Sequence, residues 1–209
     1  MNVVIIGASH GGLQAALTIK KLDPTTKVTL IDKRSELSFV SSGVILYMNQ
    51  LVDELNNVRY LTLEELLKEG IDVVLQANVT KVNPENKAIT YEDNQRAQFE
   101  VGYDKLIIAT GSNQFSTNMS LPEKEKVTVF KSYASSMEVL ARVEHSDIIS
   151  IIGGGYIGVE LCDALKFQNK EVHLIESADA ILFRYVDKEI SSIIERKIRE
   201  AGVILHLNE

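Results

Sequence analysis

The sequence has 209 residues, of which 45% are hydrophobic and 24% charged, with 12 Gly and 3 Pro. That length makes one or two domains, and the composition excludes collagen-like, low-complexity and wholly disordered chains. A net charge of −7 argues against a general nucleic-acid binder, which needs a basic face.

No apolar run approaches the ~18 residues of a membrane helix, and the first one, residues 3–6, has no basic flank, so no signal peptide is expected. The single cysteine, Cys162, allows no internal disulfide framework, no CxxC redox pair and no cysteine-based zinc site. A cytoplasmic setting is expected. His145, His173 and His206 show no ligand spacing, so no metal is expected.

The chain opens with an apolar strand over 3–6, a Gly-rich turn over 7–12, a helix over 13–22 stopped by Pro24, and a strand over 28–31 that ends on Asp32. This is one βαβ unit of about 30 residues, and its near-continuous apolar strands predict a parallel sheet covered on both faces. A helix is predicted around 43–49, another over 63–69, and a strand over 71–75. Short alternating stretches over 79–82, 87–91 and 97–101 predict an inserted antiparallel meander. A buried strand over 106–109 follows, then a polar segment over 112–126 whose charge run, 123–126, reads as a solvated loop and a domain boundary. The second half repeats the first: a strand over 148–152, a Gly-rich turn over 153–158, a helix to about 167, and a strand over 172–175 that ends on Glu176. A helix over 188–201 and a strand over 203–207 complete it. The expected fold is therefore α/β, with two Rossmann-like units and an inserted antiparallel β-meander.

Gly153, Gly155 and Gly158 match the dinucleotide fingerprint: a tight turn, close backbone approach to a pyrophosphate, and close packing of helix on strand. The helix N-terminus adds free N–H groups and partial positive charge. Glu176, 18 residues past Gly158, is placed to accept from a ribose 2′-hydroxyl and to repel a 2′-phosphate, which predicts NAD(H) over NADP(H). The first turn, Gly7-x-Ser9-x-x-Gly12, is looser, with Asp32 20 residues beyond Gly12. Two such turns suggest two dinucleotides, and NADH held against FAD passes a hydride to the flavin.

Five segments occur in order: Gly7-Ala-Ser-His-Gly-Gly12, Ser38-Phe-Val-Ser-Ser-Gly43, Tyr103-Asp-Lys-Leu-Ile-Ile-Ala-Thr-Gly111, Gly153-Gly-Gly-Tyr-Ile-Gly-Val-Glu160 and Tyr185-Val-Asp-Lys188. Over essentially its whole length the chain resembles the pyridine nucleotide-disulfide oxidoreductases, in particular the branch of NADH peroxidase, NADH oxidase and coenzyme A-disulfide reductase. The resemblance implies an FAD-binding domain over 1–112 and an NAD(H)-binding domain over 113–209. It implies that Gly7, Ser9, His10, Gly11 and Gly12 line the FAD pyrophosphate, that Asp32 and Lys33 lie at the adenosine ribose, and that the Val79 backbone faces the adenine. Ala109, Thr110 and Gly111 would form a second turn beside FAD, and Lys131 stands where relatives often carry an arginine. Gly153, Gly155, Tyr156, Ile157, Gly158, Glu160, Glu176 and Tyr185 would serve NAD(H).

Two departures stand out against this pattern. The branch carries its redox cysteine where this chain has Ser42, and a serine hydroxyl cannot cycle through sulfenic acid. Cys162 falls on a helix, as a small buried residue. His10, the acid–base partner of that cysteine in relatives, would face Ser42, but no acid stands as a third member and there is no G-x-S-x-G elbow, so a hydrolase is not expected. The chain also stops inside the NAD domain, as a truncated product or fragment would, so a homodimer is expected only in a longer form. The expected function is an FAD-dependent oxidoreductase, or a fragment of one, that oxidises NADH with oxygen as acceptor; the alternative is a non-catalytic nucleotide-binding module or inactive remnant.

Overall fold

Nearly every residue of the first strand is apolar, and the structure shows why. In the computed structural model, which describes residues 1–112 and 127–209, β1 (Asn2–Ile6) is the third strand of a four-stranded parallel sheet ordered β3-β2-β1-β7. Its neighbours are β2 (Lys27–Ile31) and β7 (Lys105–Ile108), with β3 (Ile71–Val74) beyond β2. Side chains alternate between the two faces of a strand. Val3 and Ile5 join Leu13 and Ala16 of α1 (His10–Leu22) and Leu66 of α3 (Leu63–Lys68) in one core. Val4 and Ile6 join Ile31, Ala77 and Ile89 in a second. The second core lies against the antiparallel meander β4 (Asn78–Asn83), β5 (Ala88–Glu92) and β6 (Gln98–Gly102). Burial on both faces accounts for the unbroken Val-Val-Ile-Ile run.

The described residues form two units. The first holds Met1–Phe39 and residues 59–112; the second holds Val40–Val58 and residues 127–209. Phe39 and Arg59 pair in an isolated antiparallel bridge at the neck of the 40–58 excursion. The second unit is built on a parallel sheet ordered β10-β9-β8, with β8 (Ile148–Ile152), β9 (Glu171–Glu176) and β10 (Ile204–Leu207). Helices α5 (Tyr156–Phe167) and α6 (Lys188–Glu200) belong to it, as does α2 (Gly43–Met48), whose Met48 carbonyl accepts from the Gln168 amide at 3.1 Å. The α/β class, the two Rossmann-like units and the meander are all present.

Two features differ from the expectation. Helix α1 starts at His10, three residues earlier than its apolar pattern indicates, so Gly11 and Gly12 lie in its first turn. Helix α4 (Tyr133–Glu144) was not signalled by the pattern at all. Its start is fixed by a capping box in which the Ser132 and Ser135 side chains each accept from the other's backbone N–H, a role that Glu or Gln usually fills at the second position. The charge run 123–126 lies outside the described residues.

Candidate functional site

The two Gly-rich turns repeat one another hydrogen bond for hydrogen bond. Gly7 has φ +112° and Gly153 φ +109°, a conformation that side-chain-bearing residues rarely adopt. The Gly7 N–H donates to the Ile31 carbonyl at 2.8 Å, and the Gly153 N–H donates to the Ile175 carbonyl at 2.8 Å. The next N–H in each turn reaches the acid at the end of the adjoining strand: Ala8 to Asp32 Oδ2 at 2.7 Å, and Gly154 to Glu176 Oε2 at 2.8 Å. Two residues beyond each acid, a further N–H closes on its other oxygen: Arg34 on Asp32 Oδ1 at 2.9 Å, and Ala178 on Glu176 Oε1 at 2.9 Å. Each carboxylate thus pins its glycine turn to its strand end.

The glycines divide by what they face. A Cβ on Gly12 or Gly158 would run into the carbonyl of the turn's first glycine, so both let a helix pack on its own turn. A Cβ on Gly155 would meet only the Tyr185 ring, at 3.9 Å, and one on Gly11 only Ala109 Cβ, at 3.9 Å. The protein's own packing therefore does not require glycine at 11 or 155, and the room lies at the mouths of the turns. Both helices start from an extended residue, Ser9 or Gly155, with no side-chain cap. Their first N–H groups are free to meet an anion, which the helix dipole favours.

Burial disfavours ionisation of both acids, and in both it is the largest single influence. At Asp32 it is outweighed by the Arg34 guanidinium and by the Ala8 and Arg34 N–H groups, which hold the carboxyl below its usual range. At Glu176 it is outweighed by the Ala178 and Gly154 N–H groups and by Ser177. Both acids are anions at neutral pH, and both are buried, 5% and 8% exposed.

The remaining candidates sort by unit. In the first, His10 heads α1; its Nδ1 lies 3.0 Å from the Tyr60 hydroxyl, and the two rings stack with centroids 5.4 Å apart. The Ala109 N–H donates to Ile6 at 2.8 Å, and a Cβ on Gly7 would strike the Ala109 carbonyl, so the 109–111 turn lies against the first Gly turn. Lys33 is exposed, and Val79 sits on β4 just before a register shift opposite β5. In the second unit, Ser42 is exposed at the N-terminus of α2 and its hydroxyl does not cap that helix. Tyr156 and Tyr185 form an edge-to-face pair, centroids 5.5 Å apart. Ile157 and Glu160 lie in the early turns of α5, and the Lys131 N–H donates to Ser135 Oγ before α4. Cys162 is buried on α5, and burial, with Asp163 second, pushes its thiol pKa up to about 12. Among the described residues, no group of three or more His, Cys, Asp or Glu side chains could hold a metal. Sequence reasoning missed Arg34, Tyr60 and Ser177. An arginine two residues after a strand-end acid was a usable signal for the first; nothing in the spacing linked Tyr60 to His10.

The profile of the family described as Pyridine nucleotide-disulphide oxidoreductase matches residues 1–209. The chain belongs to this family. Similar members include an NADH oxidase of Enterococcus faecalis, 31% identical over 210 residues, which the chain matches along 100% of its own length and 47% of the relative's. Among solved structures, the water-forming NADH oxidase from Lactobacillus brevis bound to NADH gives a TM-score of 0.96 at 31% identity, covering 100% of this chain and 47% of that one. An engineered water-forming NADPH oxidase derived from it, bound to NADPH, gives 0.96 at 30% identity with the same coverage. This oxidoreductase-family chain spans about half the length of the relatives it matches.

Proposed function

We propose that the chain forms the FAD- and NAD(H)-binding part of an enzyme that oxidises NADH through flavin, with oxygen as the final acceptor. The observation that carries this reading is the pair of glycine turns, each with an uncapped helix start and an ionised, buried acid at the strand end. Bound FAD would supply the hydride acceptor and bound NADH the hydride, while the protein supplies position and electrostatics. In this reading Gly7, Ser9, Gly11 and Gly12 hold the FAD pyrophosphate and Asp32 its ribose, with Lys33, Val79, Lys131 and the 109–111 turn around it. Gly153, Gly155, Ile157 and Gly158 hold the NADH pyrophosphate, Glu176 its ribose, and Tyr156, Glu160 and Tyr185 flank it. The room at Gly11 and Gly155 suits backbone approach by a phosphate.

Oxygen is favoured because neither candidate sulfur chemistry is supported. Ser42 stands at the position of the redox cysteine, and the Cys162 thiol is buried with its thiolate strongly disfavoured. His10, held at Nδ1 by Tyr60, leaves Nε2 as the atom that offers or takes a proton. In this reading the setting is cytoplasmic and the partners are nucleotides rather than nucleic acid. No helix among the described residues is long and apolar enough to cross a membrane.

The test is a visible spectrum of the purified chain after incubation with FAD and desalting. A retained flavin band supports the reading; a colourless protein that still binds NADH favours a nucleotide-binding module without flavin chemistry. That second reading draws on the Asp32 carboxylate, which already holds an internal arginine.

A further inference from the structure

The two strand-end acids share two matching backbone donors, and the Ser177 N–H adds a third influence at Glu176, but only Asp32 also holds a cation. An ionised carboxylate offers about four acceptor positions. On Asp32 the protein fills all of them. Oδ1 accepts from the Arg34 N–H at 2.9 Å and from Arg34 Nε at 3.0 Å; Oδ2 accepts from the Ala8 N–H at 2.7 Å and from Arg34 Nη2 at 2.7 Å. The guanidinium is thus forked across both oxygens, the strongest geometry available to such a pair. On Glu176 the position matching Arg34 is Ala178, which has only a methyl group to offer. There Oε1 takes the Ala178 N–H and the Ser177 hydroxyl at 3.1 Å, and Oε2 takes only the Gly154 N–H among the described donors. A ribose hydroxyl arriving at Glu176 finds an acceptor ready. One arriving at Asp32 finds none until Arg34 leaves. The Asp32 side chain is 4% exposed and that of Arg34 36%, so the arginine is the partner with solvent to move into.

We infer that Arg34 is an internal competitor for the ribose position of the first turn. It holds Asp32 in the free protein and must swing out before the adenosine ribose of a dinucleotide can be accepted. Arg34 therefore sets the affinity and the loading rate of the first site, while the second site has no such guard. This rests on the reading that the first turn takes FAD.

The test is titration of the chain with FAD, followed by flavin fluorescence, in the wild type, Arg34→Met and Arg34→Lys, with NADH titration of each as the control for folding and for the second site. Arg34→Met keeps the aliphatic stem and removes the fork. It is expected to bind FAD at least about tenfold more tightly, since the fork's two charge-assisted hydrogen bonds no longer have to be broken. Arg34→Lys, which keeps the charge without the planar fork, should fall between. NADH affinity should be the same in all three. Equal or weaker FAD binding by Arg34→Met, with the wild type binding FAD, overturns the competitor role and leaves the flavin reading standing. FAD bound by none of the three, with NADH bound by all, overturns both.

Discussion

Replacing Glu176 with Gln is the most informative single change in the second unit. The carboxylate is 8% exposed and accepts from the Gly154 N–H at 2.8 Å, the Ala178 N–H at 2.9 Å and Ser177 Oγ at 3.1 Å. Glutamine keeps the shape but only one carbonyl oxygen, so its amide nitrogen must face one of those N–H donors. Leaving one buried N–H without an acceptor costs about 1–3 kcal/mol, or roughly 2–12 °C in Tm for a chain of this size. The effect on ligands has a different sign for each. A ribose hydroxyl would donate to a neutral acceptor instead of an anion, which weakens NADH by about fivefold to tenfold. A 2′-phosphate would no longer meet a like charge; at ~5 Å and an effective dielectric of ~20 that repulsion is about 3 kcal/mol per charge pair. The preference for NADH over NADPH should therefore fall by at least about tenfold. Fluorescence titration of wild type and Glu176→Gln with both nucleotides measures the ratio, and urea unfolding measures the stability change. A lower stability with an unchanged ratio would refute the ribose role and leave Glu176 as a clamp on the turn.

Two further outcomes are expected. The carboxyl pKa of Asp32 is lowered in the folded state, so its contribution to stability is fully present above about pH 4, the usual carboxylate pKa, and is lost as the pH falls through the depressed folded value. The stability gap between wild type and Asp32→Asn should accordingly be flat near neutrality and close in that acidic window; a gap that grows on acidification contradicts the assignment. Cys162, buried and with its pKa pushed to about 12, should resist alkylation by iodoacetamide at pH 8 in the folded chain and react on unfolding in urea; rapid labelling of the native protein would contradict the packing described.

Much of the frame was legible because it is written in local physics. The run Val3–Ile6 has to be buried on both faces, and Gly7 and Gly153 have to reach positive φ, so strands and turns announce themselves in a few adjacent residues. The acids Asp32 and Glu176 were legible by their distance from the turns. What was not legible is side-chain company. Tyr60 meets His10 across 50 residues of sequence, a pairing with no periodicity to betray it. Helix α4 was hidden because its buried face includes a small polar residue, Ser136, and its N-terminal capping box uses serine at both positions, Ser132 and Ser135. The segment Val40–Val58, which carries Ser42, packs with the second unit although it interrupts the first, and no composition shift marks its ends. Arg34 was the most consequential omission: an acid two residues before an arginine reads as a ribose ligand until the fork between them is seen.

The proposed oxidation of NADH through flavin is tested most directly by an anaerobic measurement. The chain is reconstituted with FAD, desalted, and titrated with NADH while the visible absorbance band of oxidised flavin is followed. Bleaching in proportion to NADH added, with recovery of the band on admitting air, is the predicted result. A bound flavin that NADH never bleaches would contradict the account.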